Sequence, residues 1–225
     1  MSDSDPEAAE ISYNCKVALA YAARGIPVFP CRERTSGLKK VKSPYTLRGI
    51  KNATQDEEQI RRWWIQYPDA LIGLHLSAAG LMAIDGDRHD GGPDGVTAFE
   101  NLAALSGYDL NVHTTVRTPA NGKHWYFRAP EGGVPTDGRG SLPPGVDLKW
   151  AGYTIAAGSK LLDGRIYGRE LGTPSLSTDI PIAPDWLIDV LGTAKPRAVD
   201  NQTPLCELDT PDGLCQTNVA LSAAY

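Results

Sequence analysis

A chain of 225 residues with a formal net charge of −5 can bury one sizeable core, and it is too acidic to coat nucleic acid by bulk attraction. Hydrophobic residues at 41% and charged residues at 22% are an ordinary globular composition, and no apolar run approaches the roughly 18 residues of a membrane span. The acidic, polar start MSDSDPEAAEIS does not read as a secretory signal, and Cys15, Cys31, Cys206 and Cys215 form no CxxC pair, which argues against a disulfide framework and for a cytoplasmic location.

In chain order, EAAEISYNCKVALAYAARG has helical periodicity, with Ile11, Cys15, Ala18, Leu19 and Ala22 on one face and Gly25 as the stop. IPVFPC reads as a short strand. From Arg32 to Lys51 the basic residues Arg32, Arg34, Lys39, Lys40, Lys42, Arg48 and Lys51 face a single acid, Glu33. Such a stretch reads either as a solvated loop or as a phosphate-facing surface. TQDEEQIRRWWIQYP begins with a capping signal at Thr54 and continues as a helix to Pro68. ALIGLHL and GLMAID read as strands around SAAG, as a hairpin or a tight connection.

Residues 94–107 suit a helix ending at Gly107. TTVRTP and KHWYFRA are expected as a hairpin across ANG, and GVDLKW and YTIAAGS as a second hairpin through Ala151 and Gly152. RIYGRE reads as a short strand and PDWLIDVLG as a closing helix. After Gly192 periodicity is lost, so 193–225 reads as a linker or the start of a truncated C-terminal region. Helices mixed with mostly antiparallel strands point to an α+β fold.

The chemistry begins at LMAIDGDRHDGG, where an apolar strand runs into Asp85 and Asp87. Strand residues i and i+2 share a face, about 7 Å apart, so two like charges stand together there. They either belong to a solvated turn or are neutralised by a cation, and an oxygen-only site suits Mg²⁺ or Mn²⁺. GVDLKW adds Asp147 and Lys149 on one face of a strand. GKHWYFR adds His124 and Tyr126 on one face, with Lys123, Trp125 and Phe127 on the other.

The succession GIPVFP, KSPY, GIKNATQD, RWW, AIDGD, TVRTPANGKHWYFR and GVDLKWAGYTIAAGS resembles the bifunctional DNA primase/polymerase (prim-pol) domain of the archaeo-eukaryotic primase superfamily. That module is typical of phage and plasmid replication, which would place the chain in a host cytoplasm. The resemblance covers roughly 14–192, leaving 1–13 as an N-terminal tail. It implies an RRM-like, mostly antiparallel catalytic sheet packed with a smaller N-terminal αβ lobe. By its motifs, Asp85, Asp87 and Asp147 are the metal-binding acids, and His124 contacts the triphosphate of an incoming nucleotide. Lys149 stands where the family often has arginine, which keeps the charge and loses the bidentate fork. The family more often has a double glycine where this chain has ANGKH, and a glycine run where it has WAGY.

The activity so implied is template-directed nucleotidyl transfer, DNA primase and DNA polymerase, with two divalent ions, Mg²⁺ or Mn²⁺. The expected nucleotide contacts are His124, Lys123 and Lys149, with Ser159 a weaker candidate; Lys39, Lys40, Lys42, Arg48 and Lys51 are candidates for template phosphates. Expected partners are a single-stranded DNA template, nucleoside triphosphates, and a helicase region on a longer chain or in trans. No G-x-x-x-x-G-K-[ST] motif occurs. The rival readings are a two-metal nuclease using the same acids, and a non-catalytic replication-initiator module that binds DNA without synthesis.

Overall fold

Ser12 opens the first helix: its side chain accepts a hydrogen bond from the Cys15 amide, and α1 runs Tyr13–Ala22. The computed structural model describes residues 11–135 and 141–192. The chain divides into Met1–Ala194 and Lys195–Tyr225, and every described residue belongs to the first unit. The region 193–225, most of the expected tail, Cys206 and Cys215 lie outside the described residues.

The burial of α1 includes an unexpected polar residue, Asn14. Its side-chain amide donates to the Ala70 carbonyl at 3.0 Å and the Lys160 carbonyl at 3.1 Å, while its oxygen accepts from the Lys160 amide at 2.9 Å. A buried amide with these partners satisfied pins the helix to two distant segments. Strand β1 (Val28–Cys31) follows, then the basic loop, then α2 (Glu57–Gln66). The cap of α2 is Asp56, which accepts from the Gln59 amide, whereas Thr54 accepts from the Asp56 amide one step earlier. Both candidate caps are used, and the carboxylate takes the helix end, where the dipole favours negative charge.

Strands β2 (Leu71–Leu74) and β3 (Leu81–Gly86) are joined by a 3-10 turn at Ser77–Ala79, and they lie in different sheets. The connection is tight but is not a hairpin. Helix α3 (Gly95–Leu105) is capped by Asp94 and is followed by β4 (Thr115–Arg117) and β5 (Lys123–Arg128). These two strands form the expected antiparallel hairpin, with Asn121 at φ 63 supplying the turn.

Strand β6 (Val146–Lys149) pairs with β3, and β7 (Thr154–Ile155) pairs with β2 in the other sheet. The hairpin expected through Ala151 and Gly152 is therefore absent. Each strand pairs with a non-local partner, which local spacing does not reveal. Strand β8 (Gly168–Arg169) joins β4, and α4 (Asp185–Gly192) closes the described chain.

The small sheet has the order β1-β2-β7 and the large one β6-β3-β5-β4-β8, all antiparallel. Counted from β3, the large sheet runs fourth, first, third, second, with α3 crossing between its first two strands. That is the RRM-like arrangement. The fold is α+β: this sheet, and a smaller lobe of α1, α2 and the three-stranded sheet, which borrows β7 from late in the chain.

The large sheet separates two cores. Leu81, Ala83, Val116 and Tyr126 face the small lobe and pack with Ala18, Tyr21, Phe29 and Ile155. Met82, Ile84, Trp125, Phe127 and Val146 face α3 and α4 through Phe99 and Leu187. Every residue of β3 is buried, as expected of a strand covered on both faces. No helix among the described residues is long and apolar enough to cross a membrane.

His113 precedes β4 and is fully buried, its ring 4.3 Å from that of Phe127 and its Nε2 2.7 Å from the Tyr108 hydroxyl. Burial holds its imidazole down at about 4 from the usual 6.5. A base whose folded pKa lies below its unfolded value contributes stability above the unfolded pKa and loses it as pH falls toward the folded one. Stability should therefore fall by up to about 3 kcal/mol between pH 6.5 and 4, a window that His113→Phe should flatten. Chemical denaturation across that range measures it.

Candidate functional site

The site lies on the large sheet where the cover of the small lobe ends. Along β3, Leu81 and Ala83 are core residues, and Asp85 continues the same face. The register sets Asp85 opposite His124 of β5 on one side and opposite Asp147 of β6 on the other. Directly opposed residues share a face, so one row across three strands reads His124, Asp85, Asp147. One step back toward the core, Ala83 is opposite Tyr126 and Lys149, which places Lys149 beside the two acids.

The Lys149 ammonium lies 3.2 Å from Asp85 Oδ2 and 3.4 Å from Asp147 Oδ2. His124 Nε2 stands 3.3 Å from Asp85 Oδ1. On the other side of that ring, Nδ1 is 3.3 Å from the Tyr126 hydroxyl, which itself donates to Thr154 Oγ1 at 2.9 Å. Tyr126 and Thr154 thus hold the imidazole by its Nδ1 side and leave the Nε2 edge facing Asp85.

Burial alone would raise the carboxyl pKa of Asp85. The His124 ring and the Lys149 ammonium outweigh burial and hold it at about 2. Lys149 shows the reciprocal effect: burial would lower it, but Asp85 and Asp147 raise it. Asp87 is pushed up by burial and then by the negative charge of Asp85. His89 Nε2 lies 4.0 Å from Asp87 Oδ2.

Asp87 lies just past the end of β3, and its backbone is clamped rather than paired in the ladder. Its amide donates to the Gly145 carbonyl at 2.8 Å, and its carbonyl accepts from the Gly95 amide at 2.9 Å. A Cβ on Gly95 would collide with the Gly145 carbonyl, so this three-segment junction requires glycine there. The bare backbones seat the β3 end, the α3 start and the β6 entry against one another.

The structure brings Asp85, Asp147, His124 and Lys149 together, with Asp87 adjoining. It does not bring Lys123, which lies on the opposite face and holds Glu100 at 2.9 Å and Glu170 at 3.1 Å. Alternation beside His124 puts it there, so its expected nucleotide contact is not supported by its position. Ser159 is fully buried and its Oγ accepts from the Ile72 amide at 3.1 Å, which makes it a brace between segments and removes it from any open surface.

In the basic loop, Lys39, Lys40, Arg48 and Lys51 are exposed. Lys42 is exposed too, but its ammonium lies 5.8 Å from the centre of the Tyr167 ring. Tyr167 in turn lies 6.2 Å, ring to ring, from His124. That tyrosine, and the Tyr126–Thr154 relay, were not singled out from sequence. RIYGRE carried no signal beyond a short strand, and Thr154 reaches His124 only through long-range pairing.

Among the described residues, no three acidic, histidine or cysteine side chains converge as a ready cage for a metal. Lys149 occupies the position between two of the acids. The donor chemistry nonetheless fits a hard divalent cation: three carboxylates, one of which, Asp85, has a buried Oδ1 that no well-aligned hydrogen bond satisfies.

Fold and site together define an RRM-like α+β domain that carries a carboxylate, histidine and lysine row at the open end of its central strand. The model of the Prim-Pol family, bifunctional DNA primase/polymerase, N-terminal, matches residues 18–186, and the chain belongs to that family. A search of curated proteins found no match.

Lys149→Met should destabilise the fold by about 2 kcal/mol, because it leaves two close carboxylates without their shared cation. Asp87→Asn should raise the melting temperature slightly, since a carboxyl with a raised pKa is a net cost when ionised. Added Mn²⁺ should raise the melting temperature of the Lys149→Met variant more than that of wild type. Thermal melts with and without the ion measure all three effects.

Proposed function

We propose that this chain carries out template-directed nucleotidyl transfer, acting as a DNA primase and DNA polymerase. The observation that carries the reading is the row His124–Asp85–Asp147 with Lys149 beside it, set on the sheet of a prim-pol family member. A primer 3′-hydroxyl, or that of a first nucleotide, attacks the α-phosphate of the incoming nucleotide, and pyrophosphate leaves.

Asp85, Asp87 and Asp147 are the residues that would hold two Mg²⁺ or Mn²⁺ ions, which supply Lewis-acid stabilisation of the attacking and leaving oxygens. Asp85 is ionised throughout the neutral range, because its pKa is held at about 2. His124 is oriented by Tyr126 and presents its Nε2 edge to the site, where a triphosphate oxygen can accept from it. Lys149 binds Asp85 and Asp147, and released from them it becomes a cation for phosphate. Lys123 and Ser159 have no part in this mechanism.

The template is a single DNA strand, and the exposed lysines of the loop support a role for it in phosphate binding. Because the chain carries −5 overall, such contacts have to be local.

The test is primer synthesis and extension on single-stranded DNA with labelled nucleotides and Mg²⁺ or Mn²⁺. Asp85→Asn, Asp87→Asn and Asp147→Asn should each reduce synthesis by roughly a hundredfold or more. Metal-dependent strand cleavage without synthesis would favour the nuclease. Template binding without either activity would favour the initiator module.

His124→Ala should weaken nucleotide binding while leaving single-strand binding nearly unchanged; a general loss of thermal stability with no selective nucleotide defect would make it a structural residue. Replacing Lys39, Lys40 and Lys42 with Ala should lower the slope of log affinity against log salt by about 0.7 for each real phosphate contact. An unchanged slope would return the loop to a solvated surface.

A further inference from the structure

A cavity of about 270 Å³ is lined in part by Tyr167, whose ring lies 6.2 Å from that of His124. Its wall includes Tyr21, Arg24, Thr114, Tyr167, Arg169 and Leu176. Two arginines border it and its described lining holds no carboxylate, whereas two other cavities contain Asp90 with Asp94 and Glu100 with Glu170. In a chain of net charge −5, that local excess of positive charge is a departure from the surface at large.

A second observation points to a ligand. Thr114 is fully buried, and its Oγ1 has no hydrogen-bond partner among the described residues. Its backbone carbonyl accepts from the Tyr126 amide, and strand alternation puts its side chain on the face of Val116, the face turned to the small lobe and this cavity. A buried hydroxyl left unsatisfied is uncommon and costly, and here it belongs to the wall of a cationic cavity.

The size and the position decide what the ligand is. At about 270 Å³ the cavity is below the usual range for a whole small-molecule ligand, so it suits one group of something larger. It shares a wall, the Tyr167 ring, with the carboxylate row, since that ring lies 6.2 Å from His124 and beneath the Lys42 ammonium. A polymer is long enough to reach from the cavity to the row.

We propose that the Arg24–Thr114–Arg169 cavity is a subsite for a backbone phosphate of a nucleic-acid strand whose neighbouring residues lie over the catalytic row. The choice of nucleic acid rests on the proposed polymerase reading; the anion subsite rests on the cavity alone. The arginines supply charge and forked donors to the phosphate oxygens, and the Thr114 hydroxyl supplies a further donor.

The experiment measures binding of a fluorescent oligothymidylate to the full chain across a salt series without metal, beside binding of ATP and inorganic phosphate. Arg24→Gln alters an exposed side chain that rests on the Tyr21 ring, so folding is not at stake. It should lower the salt slope by about 0.7, and Arg24→Gln with Arg169→Gln should lower it by about twice that. Thr114→Val keeps the volume and should weaken strand binding severalfold without lowering the melting temperature. ATP affinity should stay at the wild-type value in all three.

A slope and affinity unchanged in Arg24→Gln and Thr114→Val would overturn the subsite. A loss of ATP or phosphate binding with strand binding intact would overturn its assignment to a strand. Wild-type protein that binds no oligothymidylate would defeat the polymerase reading and the strand assignment together, a result distinguishable from failure of the subsite alone.

Discussion

One ammonium group held between two carboxylates on neighbouring strands is the interaction on which the site depends. Lys149 contacts Asp85 and Asp147 at 3.2 and 3.4 Å, and without it those side chains would face each other across the β3–β6 pairing as like charges. Directly opposed like charges weaken a sheet, and burial raises the cost because a low dielectric screens them poorly. The register of β6 is therefore tied to the charge pattern as well as to its apolar face. A slip by one residue would turn Val146 and Leu148 out of the α3–α4 core and Asp147 into it.

The same strand shows how a catalytic-type row can be placed on a rigid support. Four residues of β3 belong to one or the other hydrophobic core, and the fifth is Asp85. The transition happens without a loop, so the carboxylate inherits the positional precision of the sheet. Asp87 has no such ladder, and the Gly95–Gly145 contact replaces it. Backbone carbonyls and amides from three segments meet there at a spacing that a side chain would prevent. The site thus combines one acid locked by the sheet, one locked by its paired strand, and one locked by close backbone approach.

The parts legible in the sequence were those decided within a few residues. Alternation in KHWYFR separated His124 and Tyr126 from Trp125 and Phe127 correctly, and ANG marked its hairpin. Of the two alternatives for β2 and β3 the tight connection holds, and the expected β6–β7 hairpin does not form; in both cases the strands pair with partners far along the chain, and tight spacing imitates a hairpin. Lys123 is expected with His124 at the triphosphate for its charge, although the alternation in KHWYFR sets their side chains on opposite faces. Ser159 follows a glycine turn and resembles a ligand-facing hydroxyl, but its use is to satisfy the Ile72 amide inside the fold. Tyr167 and Thr154 reach the site through pairings that no local pattern encodes.

Charge arithmetic at the row constrains how substrate can approach it. Among the described residues, Asp85, Asp87 and Asp147 crowd negative charge around the Lys149 ammonium, an excess that disfavours a triphosphate. The raised pKa of Asp87 is the local sign of that excess, since the charge of Asp85 contributes to it after burial. On the proposed reading, divalent charge would therefore arrive before the nucleotide or with it. Its arrival would remove the reason for Lys149 to stay between the acids, because two cations would then compete for the same oxygens. Lys149 is only partly buried, with 26% of its side chain exposed, so it has an outward path toward solvent. An arginine here would be a planar fork bound to two carboxylates at once and harder to displace. Lysine, a single-point cation on a flexible stem, can serve as a counterion to the acids in one state and to phosphate in the other.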